Sequence, residues 1–209
     1  LALADLWELT EQTRWIETAL DRIDSVWQVR SDAREKVDGM WGKILPTWYG
    51  EDGDHAICLC TGTVLNPIAR IMRLIHDTPR LHPYRSRIQP WFELCRQTIA
   101  VHDHEWIELP GDMGTYIEPY PKNRSRIYPR GGSRVSPLNR IHFFAMPMLN
   151  LGKMLDDPNY LDRVEKMARF FRHHCEPTEQ GGLVWEYEVA PYRACGEDIS
   201  HALAQIDFA

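Results

Sequence analysis

Apolar residues recur at helical spacing, with charged residues between them, in one stretch of this chain after another, and short turn signals join the stretches. Leu6, Trp7, Ile16, Ala19, Leu20, Ile23 and Trp27 mark the first. The second opens at "LNPIARIMRLIHD", where Asn66 is placed to cap a helix and Pro67 suits its first position; it is expected to end near Asp77-Thr78-Pro79. A third runs from about Tyr84 to Trp106, with Trp91, Leu94, Cys95, Thr98 and Ile99 on one face and Pro90 as an early kink. "SPLNRIHFFAMPMLNLGKML" starts from Ser136 as a cap with Pro137 in the first turn. "YLDRVEKMARFFRHH" comes after the turn Asp156-Asp157-Pro158-Asn159. Long helices paired through short turns predict successive helical hairpins in a mainly α domain. At 209 residues, 44% of them apolar, the chain can bury one sizeable core, so residues 1–209 read as a single domain.

Two regions depart from this pattern. Pro110 to Val135 is rich in Gly, Pro, Arg and Tyr and too long for a mere link, which predicts an irregular, functional loop. In "GGLVWEYEVAPY", Leu183, Trp185 and Tyr187 alternate with Val184, Glu186 and Glu188, as in a short strand near residues 183–188.

Charge and motif content narrow the functional classes. With 24 basic against 30 acidic residues there is no global pull toward nucleic acid or anionic membrane, and neither is expected as a partner. No run of 18 apolar residues occurs, and the N-terminal Leu-Ala-Leu-Ala-Asp lacks the regions of a signal peptide. The five cysteines are odd in number and lack Cys-x-x-Cys spacing, which predicts buried free thiols. His102 and His104 are two apart, a spacing that diverges on a helix. The acids Glu51, Asp52 and Asp54 lack the spacing of a calcium loop, and no phosphate-cradling Gly-rich loop occurs, Gly131-Gly132 standing alone. No metal and no cofactor are therefore expected.

"HAICLCTGTVLNPIARI" resembles the start of a helix in toroid carbohydrate-active enzymes. "GGLVWEYE" with "GEDISHA" after it resembles the strand-then-helix element of (α/α) toroid polysaccharide lyases and uronyl C5-epimerase-like domains. These stretches cover about a sixth of the chain. The resemblance implies an (α/α) toroid, here an incomplete barrel of helical hairpins, and metal-independent β-elimination on a uronic-acid-containing polysaccharide. Such chemistry needs a group that neutralises the uronate carboxylate, a base near C5 and an acid at the leaving oxygen. In the resembling enzymes these are Asn or Arg, His or Tyr, and Tyr.

Carried onto this sequence, the resemblance assigns His142 and Tyr192 to catalysis. It assigns Asn66, Asn139, Arg193, Glu197, Asp198 and His201 to substrate binding, with Arg130 and Arg134 of the long loop holding the uronates of flanking sugars. Asn139 and His142, three apart, share a helix face, as do Asp198 and His201. An extracytoplasmic location is implied by the resemblance alone, and the odd cysteine count does not speak for it.

Plainer roles stand beside these. Asn66 reads equally as a cap, Asn139 with His142 as a satisfied polar pair, and the acids of "GEDISH" as complements to a helix dipole. An inverting glycoside hydrolase on the same fold is the rival enzyme, with Glu105 or Glu186 and Asp198 as carboxylates roughly 6.5–9.5 Å apart. A non-catalytic sugar-binding module is the rival from another class. Finally, Ile199, Ala202, Leu203 and Ile206 form an apolar stripe, and no later helix stands in the sequence to cover it. That predicts a fragment of a longer chain, prone to self-association, with the stripe open or packed near Trp7 and Trp15.

Overall fold

A computed structural model describes residues 2–49, 55–120 and 132–185. The described chain is mainly helical: α1 (Ala2–Thr10), α2 (Arg14–Trp27), α3 (Cys58–Asp77), α4 (Arg85–Ala100), α5 (Leu138–Leu155) and α6 (Pro158–His173). A three-stranded antiparallel sheet, β1 (Trp106–Leu109), β2 (Met113–Tyr120) and β3 (Gly132–Val135), lies between α4 and α5. A small hairpin of β4 (Cys175–Pro177) and β5 (Leu183–Trp185) comes after α6.

The helices form two layers. In the first, α1, α3 and α5 run parallel, and their contacts advance together along the chain. Arg70 of α3 meets Asp5 and Glu8 of α1, and Arg80 meets Glu11 beyond its end. On the other side Cys58 meets Ser136, Gly62 meets Phe143 and Arg73 meets Asn150. The second layer holds α2, α4 and α6, each antiparallel to its predecessor. Met72 touches Cys95 while Thr61 touches His102, and Gly152 touches Leu161 while His142 touches Phe171. Within this layer α2 and α4 run parallel, through Glu17 with Tyr84, Asp21 and Asp24 with Arg87, and Arg30 with Thr98. Helix α3 is apolar over 20 residues because α1, α2, α4 and α5 all contact it.

The connections are unequal. Residues 11–13, 78–84 and 156–157 are short turns at one end of the layers; residues 28–57 and 101–137 are long connections at the other. Backbone groups of such long segments must find partners outside helices. In 28–57 the Asp38 carboxylate accepts from the N–H groups of Met40, Trp41 and Ala56, and Trp27 packs on Trp48 with ring centres 5.3 Å apart.

Several expected boundaries change. The first amphipathic pattern is two helices, broken at Glu11, which takes a left-handed φ of 52°. The second helix starts at Cys58, so Asn66 is not its cap and Pro67 sits inside it. Burial of Leu65, Ile68, Ala69, Ile71 and Met72 on several faces outweighs the hydrogen bond that Pro67 removes. Ser136 is not the cap of α5: its hydroxyl donates to Glu118 at 2.8 Å and its N–H to the Tyr116 carbonyl. The turn before α6 is as expected, with Asp157 accepting from the Asn159 N–H at 3.0 Å and Pro158 in the first turn. The supposed irregular loop 110–135 contains β2 and β3, with Ile117 opposite Val135 and Glu118 opposite Arg134. Of the strand expected near 183–188, Leu183–Trp185 is a strand, and Glu186 onward lies outside the described residues, as does the stripe from Ile199 to Ile206.

Candidate functional site

The end with the long connections gathers the buried polar groups. Thr61 stands in the first turn of α3, its hydroxyl oxygen 2.7 Å from that of Thr47 and 2.8 Å from His102 Nε2. On the far side of the ring, His102 Nδ1 is 2.9 Å from Glu105 Oε2. With the carboxylate accepting from Nδ1–H, Nε2 accepts from the Thr61 hydroxyl, which in turn accepts from Thr47. This is the order of a hydroxyl–imidazole–carboxylate triad. All four residues are at most 2% exposed, so no substrate reaches the hydroxyl as it stands. Its chemistry here is structural: it ties the connection 28–57, α3 and the approach to β1 together.

A second network centres on Glu118 of β2. Its carboxylate accepts from Ser136 Oγ at 2.8 Å, Arg140 Nη1 at 2.9 Å and Arg134 Nη2 at 3.2 Å. Arg134, expected to hold a flanking uronate, is buried with its guanidinium on Glu118. Cys58 lies 3.5 Å from Ser136 Oγ, and burial, with Glu118 and Glu105 nearby, pushes its thiol far above the usual range. A thiol so held is neither nucleophile nor metal ligand. Among the described residues no group of three or more His, Cys, Asp or Glu side chains converges as a metal site.

Asn139 and His142 both lie in the first turns of α5 and both are buried. The His142 ring meets Phe171 edge-on with centres 4.7 Å apart, and burial pushes its pKa down to about 3, so it is neutral at pH 7. The Asn139 Oδ1 is buried without a hydrogen-bond partner among the described residues. Asn66 is in the same condition, but on α3, where it lines a separate groove. Arg130, Tyr192, Arg193, Glu197, Asp198 and His201 lie outside the described residues, as does the expected meeting of His142 with Tyr192. Glu105, a carboxylate of the hydrolase alternative, is 2% exposed and bound to His102; its proposed partners Glu186 and Asp198 lie outside the described residues.

The sequence reading missed both networks. The i, i+3 pairing of His102 with Glu105 was visible in "HDHE", but the threonines that complete it come from distant positions. Two open grooves are also new. One, of about 840 Å³, lies beside Leu109, Pro110, Arg169, Phe170, Arg172 and His173 at the C-terminal end of α6. The other, of about 510 Å³, is lined by α1, α3 and α5 only.

Comparison with protein-family models, curated proteins and solved structures finds no match for the chain. Its function is therefore read from its own geometry.

Proposed function

We propose that this chain forms part of an (α/α) toroid that cleaves a uronic-acid-containing polysaccharide by β-elimination. The observation that carries the reading is the alternation of the layers. Parallel α1, α3 and α5 are each succeeded by an antiparallel partner, and the long connections lie together at the N-terminal ends of α3 and α5. An inner ring of parallel helices with an outer ring running back is how helical hairpins close into a toroid. The shared N-terminal end then carries the loops on which sites are built.

That end also suits an anion. Unsatisfied N–H groups in the first turns of α3 and α5 favour negative charge locally, both on a uronate and on the enolate-like anion formed when its C5 proton leaves. In the proposed step His142 takes the C5 proton, Asn139 with Arg193 neutralises the carboxylate, the C4–O bond breaks, and Tyr192 protonates the departing oxygen. A double bond between C4 and C5 remains. Burial keeps His142 neutral but also weakens it as a base, so the ring has to be exposed and its pKa to rise from about 3 before it takes the proton. Its contact with Phe171 has to open for the ring to reach C5. Glu197, Asp198, His201, Arg130 and, less readily because of its bond to Glu118, Arg134 complete the proposed substrate contacts, while Asn66, which lines a separate groove, is not used in this step.

A non-catalytic sugar-binding module is the second reading, favoured by the complete burial of His142. Incubating the protein with polygalacturonate, alginate, hyaluronan and heparosan separates the readings. Elimination gives a conjugated uronate that absorbs in the ultraviolet. New reducing ends without that absorbance mean hydrolysis, and an unshortened polymer retained by the protein means binding alone.

A further inference from the structure

In two grooves of this fold opposite charges meet each other. Between α1, α3 and α5, Arg70 and Arg73 pair with Glu8 and Asp77, and between α4 and α6, Arg163 pairs with Asp103. The groove of about 840 Å³ at the C-terminal end of α6 is different. Arg169, Arg172, His173 and His174 line it, and among the described residues that do so there is no acid. On a chain of net charge -6 this is a local reversal of sign.

Arg169 fixes the walls of this groove. It donates to the Asp112 carbonyl at 3.2 Å, to the Asp112 carboxylate and to Glu165 one turn back, so the turn between β1 and β2 is clamped to α6. Those two carboxylates offset the charge of Arg169, but not that of Arg172. The Arg172 side chain is exposed and makes no hydrogen bond or ion pair among the described residues, so its five N–H donors remain for a ligand. A cation in the last turn also offsets the helix dipole, which uses none of those donors. His173 is exposed beside it, with its ring centre 5.1 Å from that of His174. Burial, with His173 nearby, holds His174 below the usual imidazole range, so at pH 7 the fixed charge is that of Arg172.

Such a lining suits an anion, and its geometry narrows the kind. A planar guanidinium takes a carboxylate through two parallel N–H donors. Leu109 and Met113, both half-buried, give the facing wall an apolar surface, which matches the C–H face of a ring better than a bare inorganic ion. The groove also lies at the end of the long connections, since Phe171, next to Arg172, packs on His142 of α5.

We propose that this groove is a subsite for the carboxylate of an acidic sugar that flanks the reacting one, with Arg172 holding it. The proposal rests on the carbohydrate reading above for its substrate class, and it supplies the contact that Arg134, bound to Glu118, is poorly placed to make. Binding is read without turnover. If lyase activity is missing, the titration still decides the subsite; if the subsite is missing, the ultraviolet assay still decides the chemistry.

The test is a titration of the protein, Arg172→Gln and Arg80→Gln with digalacturonate, dimannuronate and the methyl esters of both, monitored through backbone amide shifts. Arg80 lies at the opposite end of the layers, so its variant removes the same charge away from the groove. At least one of the two uronates is expected to move the resonances of residues 169–174. Arg172→Gln is expected to weaken that binding about 10-fold, the methyl ester to bind at least about 10-fold more weakly than the acid, and Arg80→Gln to bind as the parent does. The proposal is overturned if neither uronate moves these resonances or if the ester binds as tightly as the acid. It is equally overturned if Arg172→Gln binds as the parent does, or if Arg80→Gln loses as much, which would make the effect one of net charge.

Discussion

Gly62 of α3 lies against the backbone of Phe143 on α5, so closely that a methyl group on Gly62 would sit 2.6 Å from the Phe143 carbonyl carbon and oxygen. Pro147, four residues on, lacks the N–H that would otherwise take that carbonyl within α5. The Phe143 carbonyl is thus left facing a glycine, and the two parallel helices approach at this point.

Gly62→Ala is therefore expected to destabilise the fold. Alanine adds about 1 kcal/mol of helix propensity, but the contact is with backbone, which cannot rotate away. The overpacking cost of ~1–3 kcal/mol prevails. Urea unfolding checks this; a midpoint at or above that of the parent protein contradicts it.

Thr61→Val leaves the Thr47 hydroxyl without its acceptor and His102 Nε2 without its donor. With ~1–3 kcal/mol for each of the two orphaned buried groups, the single substitution is expected to cost about 2–6 kcal/mol. The double variant Thr47→Val/Thr61→Val orphans only the imidazole. A double-mutant cycle should then show coupling of about 1 kcal/mol or more. Simple additivity would mean that the hydroxyls do not depend on each other.

His142 gives stability a pH dependence of definite sign. Its folded pKa is near 3 against an ordinary 6.5, so between those values the unfolded chain binds the extra proton. The folded state loses relative stability as pH falls from about 6.5 toward 3, at up to about 1.4 kcal/mol per pH unit from this group. His142→Leu is expected to flatten that limb. Unfolding midpoints of the two proteins at pH 7, 5.5 and 4.5 decide the matter; parallel curves rule out a buried neutral imidazole.

For the proposed chemistry, His142→Gln and Tyr192→Phe are each expected to lower eliminative turnover by about 10²–10⁴-fold while unfolding stays cooperative. Wild-type turnover in both variants would remove their assigned roles. Loss of cooperativity in His142→Gln alone would instead assign that ring to packing with Phe171.

The helices were legible in sequence because their hydrogen bonds and their burial pattern are local. Ile16, Ala19, Leu20 and Ile23 report one face of one helix wherever that helix is placed, and Asp157-Pro158 reports its own turn. The reading went astray where a local signal met a tertiary one. Asn66-Pro67 looks like a helix start, yet packing on several sides of α3 carries the helix through it. Residues 113–120 look like loop because Gly, Pro and charged residues are poor strand formers, yet β2 pairs along both of its edges.

The candidate site was half legible, for the same reason. Asn139 and His142 were placed together because three residues on a helix fix a shared face. Whether that face meets solvent or Phe171 depends on α6, and burial sets the state of His142. The sequence by itself determined where most of the helical segments lie and which side chains are apolar, although the third pattern runs on to Trp106, where β1 begins, and α4 ends at Ala100. The tertiary structure alone decided that α1, α3 and α5 run parallel, that Thr61 meets His102 and that Glu118 holds Arg134 and Arg140. Those contacts join residues far apart in the chain, so they exist only once the layers have assembled and excluded water from around them.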